Sequence, residues 1–256
     1  MLIPFGDDNS RLETKPFVVI GLIAANLVMW YLQLKSGEPF TYGFAAVPYE
    51  ITHGVDLTQA AMVDIQGKDF PVPQYPGPSP IHLTLLSSMF MHGGWMHILG
   101  NMLYLWIFGD QIEDLLGHVK FFFFYIICGV AAAFAQILYS PDSIIPTLGA
   151  SGAIAGVLGA YLIKHPTNNV RVLMFRFITK MPAFVVLGFW IVLQIFSQIS
   201  TAAGQASGVA YMAHIGGFVA GVGLILILGR GRVARGSRGG LAGGRKAGLF
   251  PGTWFR

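Results

Sequence analysis

The sequence predicts an all-α polytopic membrane protein, a bundle of six transmembrane helices. Composition is the first reason. Charged residues make up 11% of the 256 and hydrophobic residues 54%, whereas soluble domains carry about 25% charged residues. That leaves too little polar surface to cover a water-soluble body of this size. The second reason is that apolar runs long enough to cross a bilayer recur along the chain. They lack the period-two alternation of a membrane barrel, and only helices or closed barrels satisfy their backbone in lipid.

The first span covers residues 17–34 and is interrupted only by Asn26 and Gln33. Asp7, Asp8 and Glu13 precede it and it is long for a signal-peptide core, so it reads as a retained helix. The second reaches from about Leu85, through a polar half, to an apolar stretch over 102–108. The third covers 119–139 and opens with Phe121 to Phe124, a lipid-facing or packing surface. Residues 148–163 form a short fourth span, 183–199 a fifth and 211–228 a sixth.

Basic residues orient the bundle. Of the 16 Lys and Arg residues, only Lys35 and Lys68 fall in the loops after spans one, three and five. Arg11, Lys15, Lys120, Lys164, Arg171, Arg176, Lys180 and the basic residues of the tail share the other side, which is therefore expected to be cytoplasmic, with both termini inside. The net charge of +4 is then a topology signal with some attraction to anionic lipid, and it calls for no nucleic-acid partner. Three regions result: a cytoplasmic segment 1–16, a membrane domain 17–229 and a Gly/Arg-rich cytoplasmic tail 230–256 that reads as disordered. Within the membrane domain, residues 36–80 form a long extracytoplasmic loop. Its Pro71, Pro73, Pro76, Pro78 and Pro80 cannot continue a helix or a central strand. The single cysteine, Cys128, excludes an intrachain disulfide framework and a multi-thiolate metal site within one chain.

Polar groups inside the spans point to function, because they are costly in lipid. The second span carries His92, His97 and Asn101, the last two on one helical face. The sixth carries His214, and the fourth begins Gly149-Ala150-Ser151-Gly152. At about 1.5 Å per residue, Ser151 and His97 lie roughly 20 Å, His214 roughly 24 Å and Asn101 roughly 14 Å above the inner interface. Within a core of roughly 30 Å, three separate helices therefore put polar groups in the outer half. Gly152 with Gly156, and Gly217 with Gly221, are small-xxx-small pairs that let the fourth and sixth helices approach closely.

Close backbones suit a serine–histidine hydrogen bond. A serine hydroxyl becomes a good nucleophile when a base within roughly 2.6–3.2 Å takes its proton, and His214 is the candidate base. Asn101, His97 and the Ser151 backbone N–H could stabilise an oxyanion. Thr84, Ser87, Ser88, His92, Gly93, Gly94 and His97 suggest a wet cavity open to the outside. Activity should fall as His214 protonates, around roughly pH 6.5.

Three stretches carry a resemblance to a known family. They are His92-Gly-Gly-Trp-Met-His97-Ile-Leu-Gly-Asn101, Gly149-Ala-Ser151-Gly152, and Ala213-His214-Ile-Gly-Gly217-Phe-Val-Ala-Gly221. In these the sequence resembles the rhomboid family of intramembrane serine proteases, over about residues 17–229. The resemblance implies a rhomboid-like six-helix bundle and a catalytic dyad of Ser151 and His214 without a carboxylate or any cofactor. It implies an oxyanion hole of His97, Asn101 and the Ser151 amide, a cavity supported by His92, and a loop shaped by Gly149. Glu113 matches a position that stabilises the cytoplasmic helix ends. Substrates would be membrane-anchored proteins cut in or beside a transmembrane segment. A bacterial plasma membrane is the expected home, since mitochondrial members commonly carry an extra helix and a targeting segment. Two positions depart from the pattern: Leu83-Thr84 stand where many members have Trp-Arg, and Ala155 where many have a Tyr that stacks on the catalytic histidine.

Three other functions compete. A non-catalytic rhomboid-like protein could hold membrane clients without cutting them, but needs neither Ser151 nor His214. A zinc site of His92, His97 and His214 has the right ligand type but no HExxH motif or in-span carboxylate. A channel or transporter has only the polar layer in its favour.

Overall fold

The computed structural model describes residues 2–10, 12–65, 68–202 and 209–229; the basic tail expected over 230–256 lies outside them. The chain opens with a strand, β1 (Leu2–Gly6), and then α1 (Phe17–Gly43). The loop region holds α2 (Pro48–His53), the hairpin β2 (Ala61–Ile65) and β3 (Lys68–Val72), and α3 (Thr84–Ser87) between two 3-10 turns. Next come α4 (Trp95–Leu116), α5 (His118–Tyr139) and α6 (Ser151–Lys164). A second hairpin, β4 (Asn169–Met174) and β5 (Phe177–Pro182), leads to α7 (Ala183–Ala202) and α8 (Tyr211–Leu228). The described residues are mostly helical, and α1, α4, α5, α6, α7 and α8 are the six helices of a membrane bundle. By length and composition α1, α5, α7 and α8 are each sufficient to cross a bilayer.

The first helix outruns its apolar stretch and reaches Gly43. Gly37, at φ 73°, breaks its regularity two residues before Pro39, a combination that glycine's freedom and proline's missing donor explain. Its N-terminus is held by α4: the Glu113 carboxylate accepts from the backbone N–H groups of Val18 and Val19, both at 2.8 Å. These are donors that a helix start leaves without intrahelical partners.

The second span is a correction. No continuous helix runs back to Leu85; residues 81–90 form a short helical segment of their own, and α4 starts at Trp95 after Gly93-Gly94. Met91, extended at ψ 147°, ends the first stretch, and two adjacent glycines, costly to order in a helix, follow it. His92 thus lies in the preceding loop, while His97 and Asn101 remain on the helix. At its other end α4 continues past the apolar run. Asp110 accepts from Asn9 at 2.7 Å, and Gln111 donates to the Asp8 carbonyl at 2.9 Å.

Two small sheets accompany the all-α bundle, neither of them expected. β1, β4 and β5 form an antiparallel sheet with β4 central, and β2 pairs with β3. In β4, Val170 and Val172 are buried between exposed Asn169 and Arg171, the period-two pattern of a half-buried strand. Pro71 sits in β3, one of only two strands in its sheet, where a missing donor is tolerated.

At the centre stands α6, buried continuously from Gly152 to Tyr161. Its 14 residues span roughly 21 Å, less than the roughly 30 Å of a hydrocarbon core. Ser151 is its first residue. Against it packs α8 in a seam without side chains: a Cβ on Gly217 would strike the Gly152 carbonyl, and one on Gly221 the Gly156 carbonyl. The phenylalanine run of α5 splits by face, with Phe121 and Phe124 buried and Phe122 and Phe123 exposed.

Candidate active site

The segment entering α6 is clamped before it reaches Ser151. Ala46 and Thr147 exchange backbone hydrogen bonds of 2.9 and 2.8 Å, and the Gln74 amide donates to the Ile144 carbonyl at 2.6 Å. Gly149 N–H donates to the Ser88 carbonyl at 2.8 Å. Gly149 takes φ +126°, and a Cβ there would lie 2.7 Å from His97 Nε2 and 3.6 Å from Ser151 Oγ. Glycine is therefore required twice over, by backbone conformation and by space. Its missing side chain leaves a gap flanked by the His97 ring and the Ser151 hydroxyl.

Ser151 and His214, on α6 and α8, meet directly: Ser151 Oγ lies 2.8 Å from His214 Nε2. The glycine seam makes this possible, because helices that touch backbone to backbone bring even a short serine within reach of a facing imidazole. The other ring nitrogen, Nδ1, lies 2.8 Å from the Oε1 of Gln194 on α7. One turn earlier on α7, the Trp190 ring lies 5.9 Å from the imidazole, tilted by 35°. Neither residue was singled out in the sequence, although Gln194 interrupts an apolar run, a signal of its own. Ala155, by contrast, is fully buried and too small to support a ring.

His97 Nδ1 accepts from the Gly93 N–H at 3.3 Å, which leaves Nε2 to carry the proton. Asn101 does not stand free. Its amide donates to His92 Nε2 at 2.9 Å, and His92 packs edge-on against His97 with ring centroids 5.1 Å apart. His92 is held in turn by Gln33 of α1, whose amide donates to the His92 carbonyl at 2.9 Å and accepts from its N–H at 3.0 Å. In the sequence Gln33 is marked only by its interruption of the first apolar span. The expected groups are therefore layered: Ser151 and His214 in contact, His97 beside Gly149, Asn101 tied to His92 behind.

These groups border a cavity of about 360 Å³. His97, Asn101, Ser151 and His214 supply its polar wall, and Met96, Tyr104, Leu148, Ile154, Leu158 and Trp190 its apolar wall. Apolar lining with a few polar groups is the usual make-up of a ligand site. Both ring nitrogens of His214 are engaged, so it is not free to join His92 and His97 around a zinc ion. No cluster suited to a metal occurs among the described residues. Away from this cavity, His118 contacts Glu113 at 2.6 Å and His165 packs against Tyr161 with ring centroids 5.3 Å apart.

Comparison with known proteins bears on the whole arrangement. Residues 82–231, more than half of the chain, match the family described as Rhomboid domain. The chain is 31% identical over 151 residues to Rhomboid protein 1, mitochondrial, of Saccharomyces cerevisiae, covering 55% of this chain and 40% of that protein. It is 32% identical over 146 residues to RHOMBOID-like protein 5 of Arabidopsis thaliana, covering 56% of this chain and 44% of that protein. Over 85 residues it is 36% identical to Rhomboid protease GluP of Bacillus subtilis, covering 33% of this chain and 16% of that protein. In each case the match spans less than half of the relative. The relatives include proteins named as mitochondrial and as chloroplastic beside the bacterial one, so kinship selects no single membrane and gives no support to a bacterial plasma membrane in particular. The matched stretch takes in α4 to α8, with all three motifs that line the cavity, and on that ground the chain belongs to the rhomboid family.

Proposed function

We propose that this protein is an intramembrane serine endopeptidase that cuts membrane-anchored proteins in or beside a transmembrane segment. The observation that carries this reading is the 2.8 Å contact between Ser151 Oγ and His214 Nε2, at the wall of a cavity that also holds His97 and Asn101. In the first step the Ser151 oxygen attacks the scissile carbonyl carbon while its proton passes to His214 Nε2. The carbonyl oxygen becomes an oxyanion. Its donors are the Ser151 backbone N–H at the positive end of α6, the His97 Nε2–H, and the Asn101 N–H not committed to His92. When the intermediate collapses, the C–N bond breaks and His214 returns the proton to the leaving amine. Water then attacks the acyl-enzyme, with His214 again as base, and releases the carboxylate product.

Each part has a usual scale. A positioned base contributes about 10²–10⁴ in rate and a single oxyanion donor about 10²–10³. The lysine and arginine asymmetry supports an orientation with the Ser151 end of the bundle outside the cytoplasm and both chain ends inside. In that orientation the clients present transmembrane segments from the bilayer and their scissile bonds from its outer half.

The test is direct. Purified protein in detergent or nanodiscs should be labelled by a fluorophosphonate and should cleave a model transmembrane substrate. Ser151→Ala and His214→Ala should each abolish both. A folded wild type that binds the substrate without labelling or cutting it would replace the protease by a client-holding protein.

A further inference from the structure

We infer that Gln194 of α7 is a third member of the site, a positioning residue that fixes which nitrogen of His214 carries the proton. The inference rests on the Ser151/His214 reading and deepens it. Gln194 Oε1 stands 2.8 Å from His214 Nδ1. An amide oxygen has only lone pairs to offer, so Nδ1 must be the donor and hold the proton. That leaves the Nε2 lone pair directed at Ser151 Oγ, 2.8 Å away on the other edge of the ring. The opposite tautomer would present an N–H to the serine and an unprotonated nitrogen to the amide oxygen. It would face a lone pair with a lone pair on one side and have no basic atom on the other. A ring that selects its tautomer through one nitrogen sets the chemistry of the other.

A carboxylate would do the same with greater electrostatic force, but a charge at this depth is costly. An amide supplies the acceptor without the charge. It also leaves the imidazolium formed during the reaction without an anionic partner. The titratable groups that face the ring are His97 and Tyr104 of α4, which border the same cavity, and Tyr211 one turn back on α8, edge-on at 6.4 Å. Trp190, four residues before Gln194 and hence on the same helical face, holds the ring plane while Gln194 holds its rotation. In this protein α7 thus takes over the support that the family's tyrosine on α6 would give.

The experiment compares Gln194→Met and Gln194→Glu with wild type in nanodiscs, reading kcat, KM and the pH profile of cleavage. Gln194→Met keeps the volume and removes the acceptor. It should lower kcat about tenfold to a hundredfold, the scale of one lost hydrogen bond in the transition state, with KM within about twofold. Gln194→Glu restores an acceptor and adds charge, so it should regain kcat over Gln194→Met and move the acidic limb of the profile to higher pH. Unchanged kcat and an unmoved limb in both variants would overturn the inference, as would equal losses in kcat and thermal stability without a limb shift. Nitrogen-15 shifts of His214 in the Ser151→Ala protein give a reading that needs no activity. Protonation at Nδ1 that is lost on adding Gln194→Met supports the inference even if the protease reading falls, and protonation at Nε2 sinks it even if cleavage is seen.

Discussion

Two seams meet at His214, and they are built on opposite principles. Between α6 and α8 the contact is backbone against backbone, with Gly217 over the Gly152 carbonyl and Gly221 over that of Gly156. Between α7 and α8 it is made by large side chains, Gln194 and Trp190 reaching the imidazole and Trp190 also stacking on Phe218 at 6.3 Å. The first seam has no slack, because a backbone carbonyl cannot swing aside. The second can adjust by rotamer. The glycine seam therefore governs whether serine and histidine meet at all, and the side-chain seam governs how the ring is presented once they do.

The largest effect should come from closing the glycine seam. Gly217→Val would drive its side chain into the Gly152 backbone; overpacking of this kind costs about 1–3 kcal/mol or more, and here it also parts Ser151 from His214. Fluorophosphonate labelling should vanish and the melting temperature should fall. Gly188→Ala on α7 meets nothing within 4 Å and should leave both unchanged. A Gly217→Val protein that labels normally would dissolve the comparison.

Next in size is Glu113→Ala, remote from both seams. It removes the acceptor for Val18 and Val19 and the partner of His118. Leaving buried donors unpaired costs about 1–3 kcal/mol. Thermal unfolding should show that loss while the labelling rate of the folded fraction stays near wild type, which separates stability from ring placement.

Trp190→Ala attacks the side-chain seam alone. With Gln194 still present, kcat should fall about threefold to tenfold, comparable to one aromatic contact of about 0.5–1.5 kcal/mol, and the melting temperature should barely move. A large stability loss would mean that α7 is held by this tryptophan and that the second seam is less adjustable than its chemistry suggests.

The smallest effect is one of pH. Burial raises the Glu50 carboxyl in α2 to about 7, with neighbouring Asp56 adding to the rise and the Leu57 N–H opposing it. Between about pH 4.5 and about 7 the folded state holds a proton that the unfolded chain has released, so this contribution to stability is full below that window and is lost as pH rises through it. Melting temperature should decline across the window in wild type and flatten in Glu50→Gln. The sign is opposite to that expected for His214, whose deprotonation raises activity as pH increases. A rising activity profile that survives Glu50→Gln therefore belongs to the site.

The two seams also differ in how far they could be read in advance. Gly152, Gly156, Gly217 and Gly221 repeat at the spacing of one helical face, and a spacing of four is visible in one dimension. Gln194 offered only its polarity, and nothing near it in the chain names His214 as its partner. The helix that begins at Trp95 instead of near Leu85 shows a different failure: a polar half was taken into one span, but the chain turns extended at Met91 and paired glycines separate it from the helix. The strands β1, β4 and β5 escaped because Leu2–Gly6 has its partner in Asn169–Met174, far along the chain.

The sequence by itself determined that the chain lives in a bilayer and where most of its helices begin and end, and it set the expectation that serine, histidines and asparagine lie at one level. All of these follow from apolar length and the fixed rise of a helix, which are local quantities. Only the tertiary structure decided which side chains touch within that level: Gln194 on His214, His92 between Asn101 and Gln33, Gly149 against His97. Helices that are apolar on every face carry no polar stripe to announce their rotation, so their azimuth is settled by packing against neighbours, and packing exists only once all six have come together.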